Sequence, residues 1–157
     1  MNWVLFFLFL HVAAAIIAFG PTFAFPIVGS FAAKDPRYGH FVAEVNHAIE
    51  TKLVLPVALT MPVSGIGLII AGGFNLTKSP WLGAGIILYI IALGIATGFV
   101  NPRSRKLVEL SSTPPPAGAA GPPPEVAALV RQIQMGGMVL IALVIVITFL
   151  MVVKPGG

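Results

Sequence analysis

The sequence of 157 residues contains no cysteine. Disulfide frameworks, thiolate-held iron–sulfur clusters and thiol catalysis are therefore excluded. Charge is also scarce, because only 9% of the residues are Asp, Glu, Lys or Arg, whereas an average soluble domain carries about 25%. Since 57% of the residues are hydrophobic, the composition excludes intrinsic disorder and argues against a free-standing soluble globule.

The few charges are bunched, and they leave long apolar blocks between them. The blocks without Asp, Glu, Lys or Arg are residues 1–33, 53–77, 79–102 and 132–153. Each is long enough for a membrane-spanning helix, which needs about 20 apolar residues. We therefore predict an all-α, polytopic membrane protein: a bundle of four transmembrane helices in a single domain, residues 1–157. The predicted spans are about 3–26, 53–72, 81–100 and 133–153.

Prolines and glycines set the expected limits of these spans. Gly20-Pro21 and Pro26 are expected to break or kink the inner end of span one, because proline removes a backbone donor. Asn101-Pro102 is expected to end span three. Six prolines and two glycines in residues 111–124, SSTPPPAGAAGPPP, predict an extended, polyproline-like cytoplasmic linker.

The polar segment before span two has helical spacing. His40, Glu44, His47 and Thr51 fall on one helical face, which predicts an amphipathic surface helix that continues into span two. The run Glu44-x-x-His47-x-x-Glu50 is interpreted mainly as a solvated face. A mononuclear metal site formed by His40, Glu44 and His47 is the weaker alternative.

The basic residues predict the orientation of the chain and its partners. Seven of them fall in loops one and three, whereas only Lys78 and Lys154 fall on the opposite side, so the positive-inside rule predicts that both termini lie outside. The net charge of +4 then reflects contact with anionic headgroups rather than nucleic acid. The expected partners are the lipid bilayer and, through the small-residue face of Gly94 and Gly98, a second copy or a larger membrane complex.

Span one contains a histidine, His11, in an otherwise uncharged block. The absence of Asp, Glu, Lys and Arg from the spans disfavours a proton- or ion-coupled transporter. One interpretation of His11 is a neutral imidazole bonded to a hydroxyl or carbonyl of a neighbouring span, with Tyr89 at matching depth. The other is an axial ligand to a b-type haem, with Met61 as a weaker second ligand at similar depth. His47 is excluded as that second ligand, because it lies about 26 Å away along the membrane normal.

Three segments carry a resemblance to a known family. LFLHVAAAIIAFGP near the start, NPRSRKLVEL after span three and TFLMVVKPGG at the end resemble an uncharacterised family of predicted bacterial integral membrane proteins, a domain of unknown function. That family is similar in turn to copper-resistance D-type and protoporphyrinogen-oxidase J-type membrane proteins, in which a first-span histidine is tied to haem. The resemblance implies a bacterial inner membrane and haem b at His11, although the oxidase-type basic residues inside spans one and two are missing here.

Two functions follow as predictions. The first is a non-enzymatic or accessory membrane component, for which no catalytic residues are predicted. The alternative is a b-type haem-binding membrane redox protein that uses His11 as an axial ligand.

Overall fold

The computed structural model describes residues 1–113 and 122–156. All regular secondary structure within these ranges is helical, which confirms the all-α prediction. The elements are α1 (Trp3–Lys34), a 3₁₀ turn (Pro36–Tyr38), α2 (Gly39–Ile49), a first π-turn (Glu50–Val54), α3 (Leu55–Gly72), α4 (Pro80–Ile95), a second π-turn (Ala96–Val100), α5 (Asn101–Ser111) and α6 (Pro124–Val153). The polyproline-like linker is predicted over residues 111–124. Its two ends are helical, since Ser111 belongs to α5 and Pro124 begins α6, and residues 114–121 lie outside the described residues.

In the described part of the chain, four helical stretches are long and apolar enough to cross a membrane. They are Trp3–Lys34, Pro36–Gly72, Pro80–Ser111 and Pro124–Val153. At a rise of 1.5 Å per residue, each is about 45 Å long or more and exceeds the hydrocarbon core of about 30 Å. The structure therefore supports a membrane bundle of four helices whose ends extend beyond the apolar layer.

The first helix is not interrupted by its prolines. The side chain of Asn2 caps it by accepting hydrogen bonds from the backbone N–H groups of Val4 and Leu5 at 3.1 and 3.3 Å. The helix then continues through Pro21 and Pro26 to Lys34, so the expected break does not occur. Inside a bilayer there is no water to hydrogen-bond free backbone groups. A helix that lacks two hydrogen bonds therefore leaves fewer backbone groups unpaired than a broken helix would.

The amphipathic segment before span two is a direct extension of that span. The backbone stays right-handed helical from α2 through the first π-turn into α3, as the predicted continuation requires. The third stretch differs from the prediction, because Asn101-Pro102 does not end it. The second π-turn closes with a bond from the Asn101 N–H to the Ala96 carbonyl, and this shift in register lets the helix continue past Pro102 to Ser111.

The helices pack in pairs. α1 lies along α3, α4 lies along α6, and α2 packs against α5. Close contacts form at small residues: a Cβ at Gly136 would lie 2.8 Å from Val100 Cγ2, and the Phe7 ring sits directly on Gly67. In a bilayer, such small residues let helices approach closely enough for dispersion contacts to hold them together.

The two ends of the bundle differ in character. Lys154 places its ammonium group 5.6 Å from the Phe74 ring centroid and 5.5 Å from that of Trp81, and these two rings meet edge to face. We call this the hairpin end, because it also holds the turn between α3 and α4. The opposite end, where α2 packs on α5, carries most of the basic residues and is called the basic end.

Candidate functional site

His11 joins α1 to α3 through a hydrogen bond to Ser64. The His11 Nδ1 and Ser64 Oγ atoms are 3.0 Å apart, and the hydroxyl of the buried Ser64 donates to the Met61 carbonyl at 2.9 Å. With its proton in that second bond, the Ser64 hydroxyl accepts from His11 in the tautomer that carries its proton on Nδ1. The Nε2 lone pair of His11 is therefore free of this contact.

The predicted partner of His11 was only partly right. A hydroxyl on a neighbouring span is present, but it belongs to Ser64, whereas the Tyr89 hydroxyl donates to the Ala58 carbonyl. The sequence contained a signal for Ser64: it lies eight residues before the end of α3, as His11 lies eight residues after the start of α1. Since α1 and α3 are antiparallel, both residues lie about 12 Å from the hairpin end.

The surroundings of His11 do not fit a haem held between His11 and Met61. Met61 is buried with Ala18 and Ala58 in the core, and the imidazole lies against α3, where a Cβ at Gly65 would be 3.4 Å from His11 Cε1. Two axial ligands need the macrocycle between them, and α1 and α3 are in direct contact at this level. An open groove of about 540 Å³ at the hairpin end is lined by Trp3, Phe7 and neighbouring residues, and His11 is not among them.

The predicted metal residues are divided into two pairs. His40 Nε2 lies 3.8 Å from Glu44 Oε1, and His40 Nδ1 lies 3.2 Å from Ser111 Oγ on α5. His47 faces Glu50 instead. Within residues 1–113 and 122–156, no three His, Asp or Glu side chains are arranged to hold a metal ion. The structure therefore gives no support to a site made of His40, Glu44 and His47.

Glu50 is buried between α2 and α5, which corrects the interpretation of a wholly solvated face. Glu44 is exposed as expected, but Glu50 is only 7% exposed. Its polar neighbours are His47, whose Nδ1 lies 3.8 Å from Glu50 Oε2, and Asn101 and Ser104 of α5. Ser104 is itself 8% exposed. We call Asn46, His47, Glu50, Asn101 and Ser104 the Glu50 cluster.

The Glu50 cluster contains buried polar atoms without hydrogen-bond partners in the described part of the chain. They are Asn46 Oδ1, His47 Nδ1, Glu50 Oε1 and Asn101 Nδ2. Burying a polar atom without a partner costs about 1–3 kcal/mol, and burying a charge costs more. Four such atoms in one place are therefore unusual for a site with a purely structural role.

Both π-turns border this cluster. Glu50 is the first residue of the first π-turn, and Asn101 directly follows the second. Single π-turns inside α-helices occur often at functional sites. The sequence held one indirect signal: spans two and three form an antiparallel hairpin, so residue 50 before one span and residue 101 after the other lie at the same level.

Arg103 is close in sequence to the cluster but is bound elsewhere. Its Nη1 donates to the Phe99 carbonyl at 2.8 Å and its Nε donates to Gln132 Oε1 at 2.7 Å, while the guanidinium stacks 3.7 Å from the Phe99 ring centroid. These contacts tie α5 to α6. They also leave His47 as the nearest basic group recorded beside Glu50 among the described residues.

The Asp35 carboxylate lies between the first two helical stretches. Asp35 follows α1 and accepts hydrogen bonds from the Arg37 side chain, including one from Nη2 at 2.7 Å. Hydrogen bonding by Arg37 lowers the pKa of the Asp35 carboxyl below its ordinary value. Asp35 therefore stays ionised and caps the 3₁₀ turn through the Arg37 N–H.

Comparison with known proteins identifies the family of this chain. A family model described as "predicted integral membrane protein (DUF2269)" matches residues 5–155, nearly the whole chain. Searches of curated proteins and of solved structures each gave no match. The family predicted from the three sequence segments is confirmed, whereas the more distant similarity to copper-resistance D-type proteins is not shown.

Proposed function

We propose that this chain, which belongs to the DUF2269 family of predicted integral membrane proteins, is a non-enzymatic component of the bacterial inner membrane that acts as a self-associated assembly. The observation that carries this proposal is an apolar face of the third helical stretch that no other part of the described chain covers. The bacterial inner membrane is the location that the family resemblance implies.

The uncovered face consists of Ile87, Ile91, Gly94 and Gly98, which follow one another at helical spacing. All four are exposed. Apart from its own stretch of helix, nothing in residues 1–113 and 122–156 lies within 4 Å of a Cβ built on either glycine. Gly85 and Gly136 behave differently, since a Cβ there would collide with Met151 and with Val100. The chain uses those two glycines for its own helix packing and leaves Gly94 and Gly98 free.

A second copy of the same chain is the occupant that this face suits. Two small residues four apart, flanked by isoleucines, let another helix backbone approach closely, which is the main source of helix association in lipid. A face of this kind can pair with itself about a twofold axis, the commonest symmetry among protein dimers. Such a contact would bury the exposed isoleucines against a partner rather than against lipid.

Energy transfer between labelled copies tests this proposal. Because the chain has no cysteine, Lys78→Cys provides a single labelling site on the exposed turn of the hairpin end. In lipid nanodiscs or vesicles, Gly94→Ile and Gly98→Ile are expected to weaken association at least tenfold. Gly137→Ile is the control, since Gly137 also has open space but lies on α6. Equal energy transfer in all variants would contradict the proposal.

The orientation with both termini outside is part of this proposal. It is supported by the charge distribution, since the end that holds α2 and α5 carries seven basic residues and the hairpin end carries Lys78 and Lys154. Basic residues next to spans are retained in the cytoplasm. The basic end would therefore face the cytoplasm.

Haem binding at His11 is a second candidate function, and one observation favours it. Ser64 holds the Nδ1 side of the imidazole, and a histidine whose Nδ1–H is bonded in this way presents Nε2 for metal ligation. Bound haem would supply one-electron redox chemistry. The expected result is a Soret band in the purified protein that disappears in His11→Ala; a band that survives the substitution would contradict ligation by His11.

A further inference from the structure

Among the described residues, Glu50 has polar neighbours but no Lys or Arg partner. Buried charges in proteins are usually paired with an opposite charge or with a metal ion. In the described residues, the recorded charged-group contact of Glu50 is His47 at 3.8 Å, which exceeds hydrogen-bond distance. Arg103 and Lys106 bond to Gln132 and Glu125 instead. In the described part of the chain, the Glu50 Oε1 atom accepts no hydrogen bond of good geometry.

The other members of the cluster add both acceptors and donors around this carboxylate. Asn46 and Glu50 are four residues apart, so they share a helical face, and the Asn46 Oδ1 atom is buried and unpartnered. His47 Nδ1 is also unpartnered, and the neutral imidazole can accept through it. Across the interface, the buried Ser104 hydroxyl and the Asn101 amide of α5 are placed to donate to the carboxylate, and the Ser104 oxygen keeps lone pairs that a cation can contact.

We propose that the Glu50 cluster binds one monovalent cation, with Na⁺ as the ion that its oxygen-rich atoms suit. One buried carboxylate supplies one negative charge, which a monovalent ion balances. Carboxylate, amide and hydroxyl oxygens are ligands for hard cations. A transition metal would need more His or carboxylate ligands, and the described residues contain no such set. This site is separate from the Gly94/Gly98 face and does not depend on self-association.

The test is the thermal stability of the full chain in nanodiscs as sodium is added. N-methylglucamine chloride is replaced by NaCl at constant ionic strength, and unfolding is followed by tryptophan fluorescence. A ligand that binds only the folded state raises its stability in a saturable manner. The expected rise in the unfolding temperature is about 5 °C or more when sodium is 100-fold above its dissociation constant.

Matched variants locate the response. Glu50→Gln is expected to remove the sodium-dependent rise, whereas Glu44→Gln, six residues earlier and exposed, is expected to keep it. If Glu50→Gln does not fold, Ser104→Ala serves as the second variant, with an expected loss of about tenfold in apparent sodium affinity. A native protein that does not respond to sodium, or a Glu50→Gln protein that responds like the native one, would show that the cluster holds water only and overturn the proposal.

Discussion

At the scale of single residues, each of two polar side chains inside the apolar stretches has a hydrogen-bond partner on a neighbouring helix. His11 contacts Ser64, and Tyr89 contacts the Ala58 carbonyl. The sequence predicted the depth of a partner for His11 but assigned it to Tyr89. The depth of a residue in the membrane follows from its position along the helix. The direction in which its side chain points depends instead on how the helices are rotated against each other. That rotation is set by packing, which the sequence alone did not reveal.

Ser64→Ala tests the His11 contact. The substitution leaves His11 Nδ1 without its partner, so the free energy of unfolding is expected to fall by about 0.6 kcal/mol and by no more than about 1.7 kcal/mol, the range for such bonds in membranes. Denaturant titration in mixed micelles measures it. Thr60→Val is the control, because the exposed Thr60 hydroxyl donates to the Val57 carbonyl of its own helix. A larger loss for Thr60→Val than for Ser64→Ala would contradict a contact between helices.

At the scale of helices, the third helical stretch is longer than predicted, and this explains why Glu50 is buried rather than solvated. The sequence ended span three at Asn101-Pro102, and so it left no surface to cover the segment before span two. In the structure, α5 continues past Pro102 and packs on α2, which buries Glu50. Proline breaks a helix reliably only when the i→i−4 pattern of backbone hydrogen bonds continues up to it. A π-turn directly before the proline changes that pattern to i→i−5.

Two adjacent glycines in α6 provide a matched test of helix packing. A Cβ at Gly136 would lie 2.8 Å from Val100 and 3.1 Å from the Phe99 ring, whereas a Cβ at Gly137 would meet no atom of another described segment within 4 Å. Gly136→Ala is therefore expected to lower the free energy of unfolding by about 1–3 kcal/mol through overpacking. Gly137→Ala is expected to be neutral or to stabilise by up to about 1 kcal/mol, because alanine favours the helix. Equal effects in the same unfolding assay would contradict the packing of α4 and its π-turn on α6.

At the scale of the whole molecule, composition predicted the architecture better than it predicted the contacts. Four charge-free blocks gave four helices, and the structure places them where those blocks lie. Which small residues join the helices could not be predicted in the same way. Gly94 and Gly98, predicted as a face for a second copy or a larger complex, are open within the described chain, whereas Gly67, Gly85 and Gly136 lie against side chains of other helices. Helix contacts in lipid depend on shape rather than on apolar periodicity, since every face is apolar.

The orientation of the molecule is tested by labelling single cysteines, which the cysteine-free chain makes straightforward. A membrane-impermeant maleimide added to intact spheroplasts is expected to label Lys78→Cys at the hairpin end. Arg105→Cys at the basic end is expected to react only after the membrane is permeabilised, since its neighbours are basic and face the cytoplasm. The reverse pattern would place both termini in the cytoplasm and contradict the proposed orientation.

Glu50 is the residue on which the proposed chemistry of this chain depends most. It is the buried carboxylate without a partner at Oε1, and it lies where two π-turned helices meet. Equilibrium dialysis of the purified chain against radioactive sodium tests it most directly, with the native protein and Glu50→Gln compared at equal concentration. The expected result is saturable binding that approaches one ion per chain for the native protein and no specific binding for Glu50→Gln. Equal binding by the two proteins, or none by either, would contradict a cation site at Glu50.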